Sequence, residues 1–223
     1  MGVSKGAAEM EIIQSVETIR SIARITLENG TRYWIPRRLL QELNCAEGET
    51  VDEKELADFV LLHQYPAALN RAVSMLARRP CSQEEIRQKL RQIHYSDDTV
   101  DMVLYKLNRE KLLNDREFAM QWAHYRSSQR YGARRIEQEL KSKGIMEEDI
   151  SCALSSLDEE TENEGLQLIA EKLIRRNRRE NQNPAQLRQK VMAAIVRRGF
   201  DWDEARGAFE RALEKSSTNE KES

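Results

Sequence analysis

Basic and aromatic side chains alternate over residues 125–135 of this 223-residue chain. The aromatic members are Tyr125 and Tyr131, and the basic members are Arg126, Arg130, Arg134 and Arg135. Guanidinium groups neutralise phosphates and aromatic rings stack on bases, so this combination suits nucleic acid. It suits an acidic groove on a partner protein equally well. The structural alternative is a solvated helix face, with Tyr125 and Trp122 simply in the core.

A second basic segment lies near residue 175. Four arginines fall within one predicted helical stretch there: Arg175, Arg176, Arg178 and Arg179. Residues 172–198 contain nine bases against one acid, whereas residues 146–164 contain eight acids and no base. The formal net charge is only -2, but charge segregated in this way can still form a strongly positive surface. A solvated helix face is the structural alternative here too.

The residue patterns that usually carry catalysis are missing from the sequence. It has no P-loop, no glycine-rich dinucleotide turn, no nucleophile elbow and no metal-ligand pair of His or Cys on one helix face. Its three histidines and three cysteines are widely spaced, which favours structural roles and free thiols. We therefore expect no enzyme activity, no catalytic residues, no metal and no cofactor. With no signal peptide and no run approaching about 18 apolar residues, the sequence predicts a cytoplasmic protein.

A threefold internal repeat organises the chain beyond residue 66. Apolar residues recur with identical offsets in three sets, spaced 50 and then 55 residues apart. The sets begin at Ile86, Ile136 and Val191. Each predicts a helix, a turn and a second helix, because its apolar positions follow helical spacing. Gly144 and Gly199 occupy the turn, where a left-handed residue ends the first helix, and His94 takes that place in the first set.

A further helix is predicted before each pair, over residues 67–78, 115–127 and 162–178. Helix-start signals support this division. They are the capping boxes Ser82 with Glu85 and Asn114 with Glu117, the cap Asn183 before Pro184, and Asp201 before the last helix. Three-helix units of this kind stack so that each one buries the apolar face of the next.

The segment before the repeats has a different pattern. Residues 1–12 resemble a loose polar start, and Asn29-Gly30 between two β-prone runs, 22–27 and 31–35, predicts a hairpin. A short helix is predicted over residues 36–43. Thr50 and Glu53 then form a capping box that opens a helix toward His63.

The predicted fold is therefore all-α, with three tandem three-helix repeats in an elongated, curved body. A small N-terminal β-hairpin with short helices precedes them. The predicted boundaries are 1–65 for the N-terminal extension, 66–113, 114–160 and 161–215 for the repeats, and 216–223 for a polar tail.

Three segments resemble a known family. Residues 112–119, LLNDREFA, resemble the helix-start motif of the RecX family, and residues 131–145, YGARRIEQELKSKGI, are similar to its most characteristic segment. Residues 76–86, LARRPCSQEEI, are similar as well, and the hairpin region resembles the N-terminal extension of longer members. The resemblance covers residues 20–215. His94 in place of glycine and an extra polar insertion in the third repeat are departures from the family pattern.

The resemblance implies a partner, the RecA recombinase assembled on single-stranded DNA. Family members lie in the groove of that filament, bridge its protomers, and suppress ATP turnover, strand exchange and co-protease activity. The chain would then be a monomeric, non-enzymatic regulator in DNA repair, homologous recombination and the SOS response. Its expected effect on RecA is inhibition. The residues expected to contact RecA or DNA are Arg126, Arg130, Tyr131, Arg134, Arg135, Lys141, Lys143, Arg175, Arg176, Arg178 and Arg179.

Two other functions remain open at this point. The tandem helix pairs could imitate helix-turn-helix units, which would make the chain a stand-alone protein that binds single- or double-stranded DNA through its basic helix faces. Alternatively, the chain could be a helical scaffold for another protein partner. No membrane partner is expected.

Overall fold

The computed structural model describes residues 9–178 and 183–219. The chain divides between Leu113 and Asn114 into two compact units. The described part is mostly helical, with a small antiparallel sheet before the helical repeats. The predicted helical repeats after a small N-terminal β element are thereby confirmed, although that element is a four-stranded sheet rather than a hairpin alone.

A four-stranded antiparallel sheet opens the first unit. Its strands are β1 (Met10–Ile19), β2 (Ile22–Leu27), β3 (Arg32–Pro36) and β4 (Thr50–Asp52), in the order β3-β2-β1-β4. The predicted hairpin is β2–β3, in which Ile25 pairs with Tyr33. The predicted loose start is wrong where the structure describes it, because β1 pairs with both β2 and β4. Ile13 is the fully buried residue of β1, so the strand has little of the alternation that a sequence reading needs.

The two helices predicted over residues 36–43 and from Thr50 onward differ from the prediction at their first residues. A 3-10 turn (Arg37–Leu39) and the short helix α1 (Leu40–Leu43) fill the segment predicted as one short helix, and α2 (Glu53–Leu76) follows β4. The N-cap of α2 is Asp52, whose carboxylate accepts hydrogen bonds from two backbone N–H groups of the first turn. The predicted capping box with Thr50 is wrong, because Thr50 belongs to β4 and its backbone pairs with β1.

Helix α2 also runs through Pro66 without ending. Proline inside a helix costs a backbone hydrogen bond, so this continuity needs compensation from packing. That packing is visible on both sides of the proline: Leu56 and Val60 lie in the core under the sheet, while Ala68 and Ala72 lie in the core of the first repeat. The predicted boundary at residue 65 therefore falls within one helix that serves both cores.

Each repeat then has its own core. The first repeat combines the second half of α2 with α3 (Gln83–Gln92) and α4 (Asp97–Arg109). The second repeat consists of α5 (Asp115–Ser128), α6 (Ala133–Ser142) and α7 (Glu147–Ser155). The third repeat consists of α8 (Glu159–Arg178), α9 (Pro184–Val196) and α10 (Trp202–Asn219).

Local signals in the sequence locate most of these helix ends. Ser82 and Glu85 form the reciprocal capping box of α3, and Asn183 caps α9 ahead of Pro184. Asn114 caps α5 through the N–H of Glu117. The turn residues His94, Gly144 and Gly199 all have positive φ angles, of 68°, 74° and 94°, as the aligned repeats predict.

The end of the chain differs from the prediction. The polar tail predicted from residue 216 begins inside α10, which continues to Asn219. The last turns of α10 are tied down, because Lys215 pairs with Glu171 of α8 at 2.9 Å. The hydroxyl of Ser216 also donates to the carbonyl of Ala212 at 2.9 Å. The rest of the predicted tail, residues 220–223, lies outside the described residues.

Backbone hydrogen bonds join the second and third repeats inside the second unit. The N–H of Gly132 donates to the carbonyl of Arg198 at 2.9 Å, and the N–H of Arg134 donates to the carbonyl of Gly199 at 3.1 Å. A Cβ on Gly132 would lie 2.6 Å from the backbone of Gly199, and a Cβ on Gly199 would lie 2.3 Å from the Cβ of Arg135. Two chain segments approach so closely here that neither position has room for a side chain.

This junction makes a prediction about stability. The substitution Gly199→Ala should lower the free energy of unfolding of the second unit by about 2–4 kcal/mol, because it adds both left-handed strain and overlap with Arg135. Gly132→Ala should have a similar effect, through overlap alone. Urea unfolding followed by circular dichroism measures the change.

The matched control is Gly165→Ala, in the middle of α8. A Cβ there makes an ordinary contact, 3.6 Å from Cγ of Arg130, so alanine should stabilise the helix by about 0.5–1 kcal/mol. Unchanged stability in Gly199→Ala would contradict the proposed closeness of the junction.

Candidate functional site

Arg126, the first arginine of the basic and aromatic segment, is engaged inside the second repeat. Its Nη2 donates to Oε1 of Glu139 at 2.6 Å, and only 16% of its side chain is exposed. Glu139 also accepts from Nε of Arg135 at 2.9 Å and from Nε1 of Trp122 at 3.1 Å. The guanidinium carbon of Arg126 lies 3.7 Å from the centroid of the Tyr131 ring. These contacts link α5 to α6, and they occupy three of the residues predicted to contact RecA or DNA.

The electrostatics of this cluster favour the charged forms. Burial alone would raise the pKa of Glu139, but the hydrogen bonds from Arg126 and Arg135 outweigh it and hold the pKa below the usual glutamate range. Burial alone would lower the pKa of Arg126, but the bond to Glu139 and the nearby Tyr131 raise it above its usual value. The ion pair of Arg126 with Glu139 is therefore a structural element of the repeat, and the Arg126 guanidinium is not a free cation.

The two lysines of the same repeat are engaged as well. Nζ of Lys141 lies 2.6 Å from Glu137 and 3.2 Å from Glu147. Nζ of Lys143 lies 4.1 Å from the centroid of the Trp122 ring, a cation–π arrangement. Both lysines thus have contacts within the repeat that account for their positions.

Arg134 reinforces the junction between the second and third repeats. It forms an ion pair with Asp201, whose carboxylate also accepts from the backbone N–H of Asp203 at 2.8 Å in the first turn of α10. The bond from Asp203 and the positive charge of Arg134 lower the pKa of Asp201, against a smaller opposing effect of burial. The predicted cap of the last helix is confirmed, and Arg134 is bound to it.

The remaining predicted residues are more accessible. Arg130, Arg175 and Arg176 are exposed. Within residues 9–178 and 183–219, Arg130 and Arg176 have no carboxylate partner, whereas the charge of Arg175 helps to lower the pKa of Glu171 on the same helix. The side chain of Arg178 and the whole of Arg179 lie outside the described part of the chain, so both stay predictions. The structure thus separates predicted contact residues that are engaged within the repeats from those that are exposed to solvent.

Two basic residues absent from the predicted set lie beside this free group. Lys172 and Arg198 line a cleft of about 350 Å³ in the second unit, together with Arg130 and Arg176. No acidic side chain is among the lining residues. The basic run of residues 172–198 is visible in the sequence, but its meeting with Arg130 requires the fold. Such an arrangement can hold an anion.

Two of the three histidines take structural positions. Nδ1 of His63 lies 2.8 Å from the carbonyl of Phe59, and His94 stacks on Trp34 with ring centroids 4.0 Å apart. Over the described ranges, no group of three His, Cys, Asp or Glu side chains is placed to hold a metal ion. The helices in those ranges are also too short or too polar for any of them to cross a membrane.

Comparison with family models matches all three helical repeats. Models described as the first, second and third three-helix domains of RecX match residues 68–107, 114–154 and 160–209. Together these matches cover more than half of the chain. They follow one another in the same order as the three repeats in the sequence.

Curated relatives and solved structures agree with these matches. "Regulatory protein RecX" of Limosilactobacillus reuteri is 28% identical over 194 residues, 86% of this chain and 73% of that protein. The protein of the same name in Clostridioides difficile is 27% identical over 198 residues, 87% and 92% of the two chains. A crystal structure of regulatory protein RecX, 26% identical, superposes with a TM-score of 0.60 over 87% of this chain and 96% of that one. The RecX structure from Lactobacillus salivarius, 22% identical with a TM-score of 0.58, covers 66% of this chain and 96% of that one and supports the fold alone.

The buried ion pair predicts a pH-dependent stability. Glu139→Gln should lower the free energy of unfolding by about 2 kcal/mol at neutral pH, because the largely buried Arg126 loses its charged partner. The folded-state pKa of Glu139 is lowered, so its contribution is present above the ordinary carboxyl range and is lost as pH falls through the lowered value. The difference between the native chain and the variant should therefore shrink in acid.

Urea unfolding at neutral pH and at roughly pH 3 measures this difference. The matched control is Glu137→Gln on the same helix, whose pair with Lys141 is more exposed and should contribute less than about 0.5 kcal/mol. Equal effects of the two substitutions, or a difference that does not change with pH, would contradict the structural role of Glu139.

Proposed function

Because the chain belongs to the RecX family of regulatory proteins, we propose that it binds the RecA–single-stranded DNA filament and inhibits it. The observation that carries this proposal is the succession of three RecX three-helix domains across residues 68–209. The regulatory role follows from the family. RecA as the partner, inhibition as the outcome, a non-enzymatic mechanism and a cytoplasmic location are our proposals.

The proposed mechanism is differential binding. A ligand shifts a filament only if it binds one state of that filament better than another. Tandem repeats suit such a role because each unit presents a similar surface, so one chain can contact several protomers. Inhibition of ATP hydrolysis, strand exchange and co-protease activity would follow from stabilising an inactive or capped filament.

The residues proposed for contact are the exposed arginines of the second unit. Arg130 and Arg176 have no carboxylate partner among the described residues, and Arg175 is exposed although its charge also acts on Glu171. All three can pair with acidic RecA surface or with DNA phosphate. Six other candidates act first as structural residues, namely Arg126, Tyr131, Arg134, Arg135, Lys141 and Lys143. Arg178 and Arg179 remain proposed contacts on the strength of the sequence.

A stand-alone DNA-binding function is the second candidate. The observation that favours it is the cleft lined by Arg130, Lys172, Arg176 and Arg198. Steep salt dependence of DNA affinity in the absence of RecA, combined with no effect on RecA, would favour this function. A helical scaffold for a different protein would affect neither RecA nor DNA.

The first test is RecA ATP hydrolysis on single-stranded DNA, titrated with this chain well below the RecA concentration. We expect strong inhibition at substoichiometric ratios. The filament is a cooperative assembly, so one bound chain would affect many RecA protomers. An unchanged hydrolysis rate at every ratio would refute RecA inhibition as the function.

A charge reversal outside the cleft tests the contact residues. Arg175→Glu should raise the concentration of chain needed for half-inhibition about fivefold, which corresponds to a contact of about 1 kcal/mol. The control is Arg188→Glu on α9, an exposed arginine outside the basic group of α8. Equal effects of the two reversals would show that net charge, and not the position of Arg175, governs inhibition.

A further inference from the structure

Three separate segments bring the four bases of the cleft together. Arg130 comes from the turn between α5 and α6, and Arg198 comes from the turn between α9 and α10. Lys172 and Arg176 are four residues apart on α8, so they lie on the same face of that helix. Residues far apart in the sequence thus converge on one concave surface.

The repeat junction holds the cleft in shape. Nη1 of Arg198 lies 3.4 Å from the carbonyl of Arg130, and its guanidinium carbon lies 5.5 Å from the centroid of the Tyr131 ring. Arg130 itself has a φ of 62°, an uncommon conformation for a residue with a side chain. The hydrogen bond from Gly132 to the backbone of Arg198 connects the two turns directly. The arrangement is therefore a product of the fold and not of one basic helix.

These cations remain unneutralised although acids are abundant. The whole chain has 38 acidic and 36 basic residues, and nearby bases of the same unit, such as Arg126, Arg134 and Lys215, are all paired with carboxylates. Among the described residues, none of the four cleft bases has such a partner. Solvation accounts for the exposed Arg130, Lys172 and Arg176 taken singly, and the Arg130 carbonyl and the Tyr131 ring hold the half-buried Arg198. Neither explains why all four meet in a concavity without an acid.

We propose that this cleft binds phosphate groups of a nucleic-acid backbone. The inference rests on the proposed function, because the DNA of the RecA filament would supply those phosphates. Arginine forks and a lysine point charge are the groups that bind phosphate oxygens best. The hydroxyl of Ser128 and the amide of Gln129 also line the cleft and can add neutral hydrogen bonds.

The charge pattern favours a nucleic-acid backbone over an acidic peptide. A nucleic-acid backbone places one phosphate in the cleft and further phosphates at short, regular spacing beside it, whereas a peptide carries negative charge only at its Asp and Glu side chains. The apolar side chains of Ile169 and Leu173 in the lining reduce solvent access, which strengthens each charge contact. With a volume of about 350 Å³, the cleft can admit a phosphate together with its sugar.

The test measures DNA binding by the full chain without RecA. Fluorescence anisotropy of a labelled single-stranded oligonucleotide is recorded over a series of salt concentrations. The double variant Lys172→Gln with Arg176→Gln should weaken binding about twentyfold near 0.1 M salt. Its log–log salt slope should be shallower by about 1.4, or about 0.7 for each lost phosphate contact. The same measurement is made with a duplex of equal length. The form of DNA for which the variant loses more affinity is the form that supplies the phosphates.

The matched control is Arg188→Gln with Lys190→Gln on α9. It removes the same net charge from exposed positions outside the cleft, and its affinity should stay within about twofold of the native chain, with an unchanged salt slope. Thermal unfolding checks that both variants fold. The cleft variant should melt at the native temperature or slightly above it, because mutual repulsion of the four cations is relieved.

Three results would overturn the phosphate site. The first is an equal loss of DNA affinity in the cleft variant and the control. The second is that the native chain shows no measurable oligonucleotide binding at low salt. The third is that the cleft variant loses RecA inhibition while its DNA binding stays intact. The last result would assign the cleft to an acidic protein surface. Failure of the proposed function gives a different result from failure of the phosphate site. If the native chain binds DNA through the cleft but leaves RecA hydrolysis unchanged, RecA inhibition is refuted and the phosphate site stands.

Discussion

The close approach of Gly132 to Gly199 is the constraint on which the candidate site depends. Two backbone hydrogen bonds, of 2.9 and 3.1 Å, fix the start of α6 against the turn between α9 and α10. Because a Cβ fits at neither glycine, the two repeats meet backbone to backbone instead of side chain to side chain. This places Arg198 beside Arg130 across 68 positions of sequence. The ion pair of Arg134 with Asp201 reinforces the same junction.

The same constraint accounts for the glycine and the two arginines near the start of the segment that resembles the family motif. In residues 131–145, Gly132 makes the repeat junction, Arg134 pairs with the cap of α10, and Arg135 helps to bind Glu139. A run of arginines that suggests a binding surface is here largely a structural device. Charged pairs of this kind contribute when they are partly buried and hydrogen-bonded, and they leave little free charge for a ligand.

The proposed binding relies on bases that are not paired with carboxylates in the described residues. Those of the second unit lie at turns and on the exposed face of α8, where a partner can reach them without disturbing a core. A regulator needs this separation, because its fold must survive unchanged while its surface discriminates between states of a partner. The division between paired and unpaired arginines therefore carries more functional information than their number in the sequence.

The sequence by itself determined the helical repeats, most helix ends and the family. Apolar periodicity, capping residues such as Ser82 and left-handed positions such as Gly144 act within a few residues, so they can be recognised without a fold. Strand β1 and the continuity of α2 through Pro66 could not be predicted, since both depend on partners distant in sequence. The same holds for the candidate site: Lys172 and Arg198 join Arg130 only after the repeats dock. Which charges are neutralised and which remain free was decided by tertiary structure, because charge pairing depends on distances in space that local sequence does not encode.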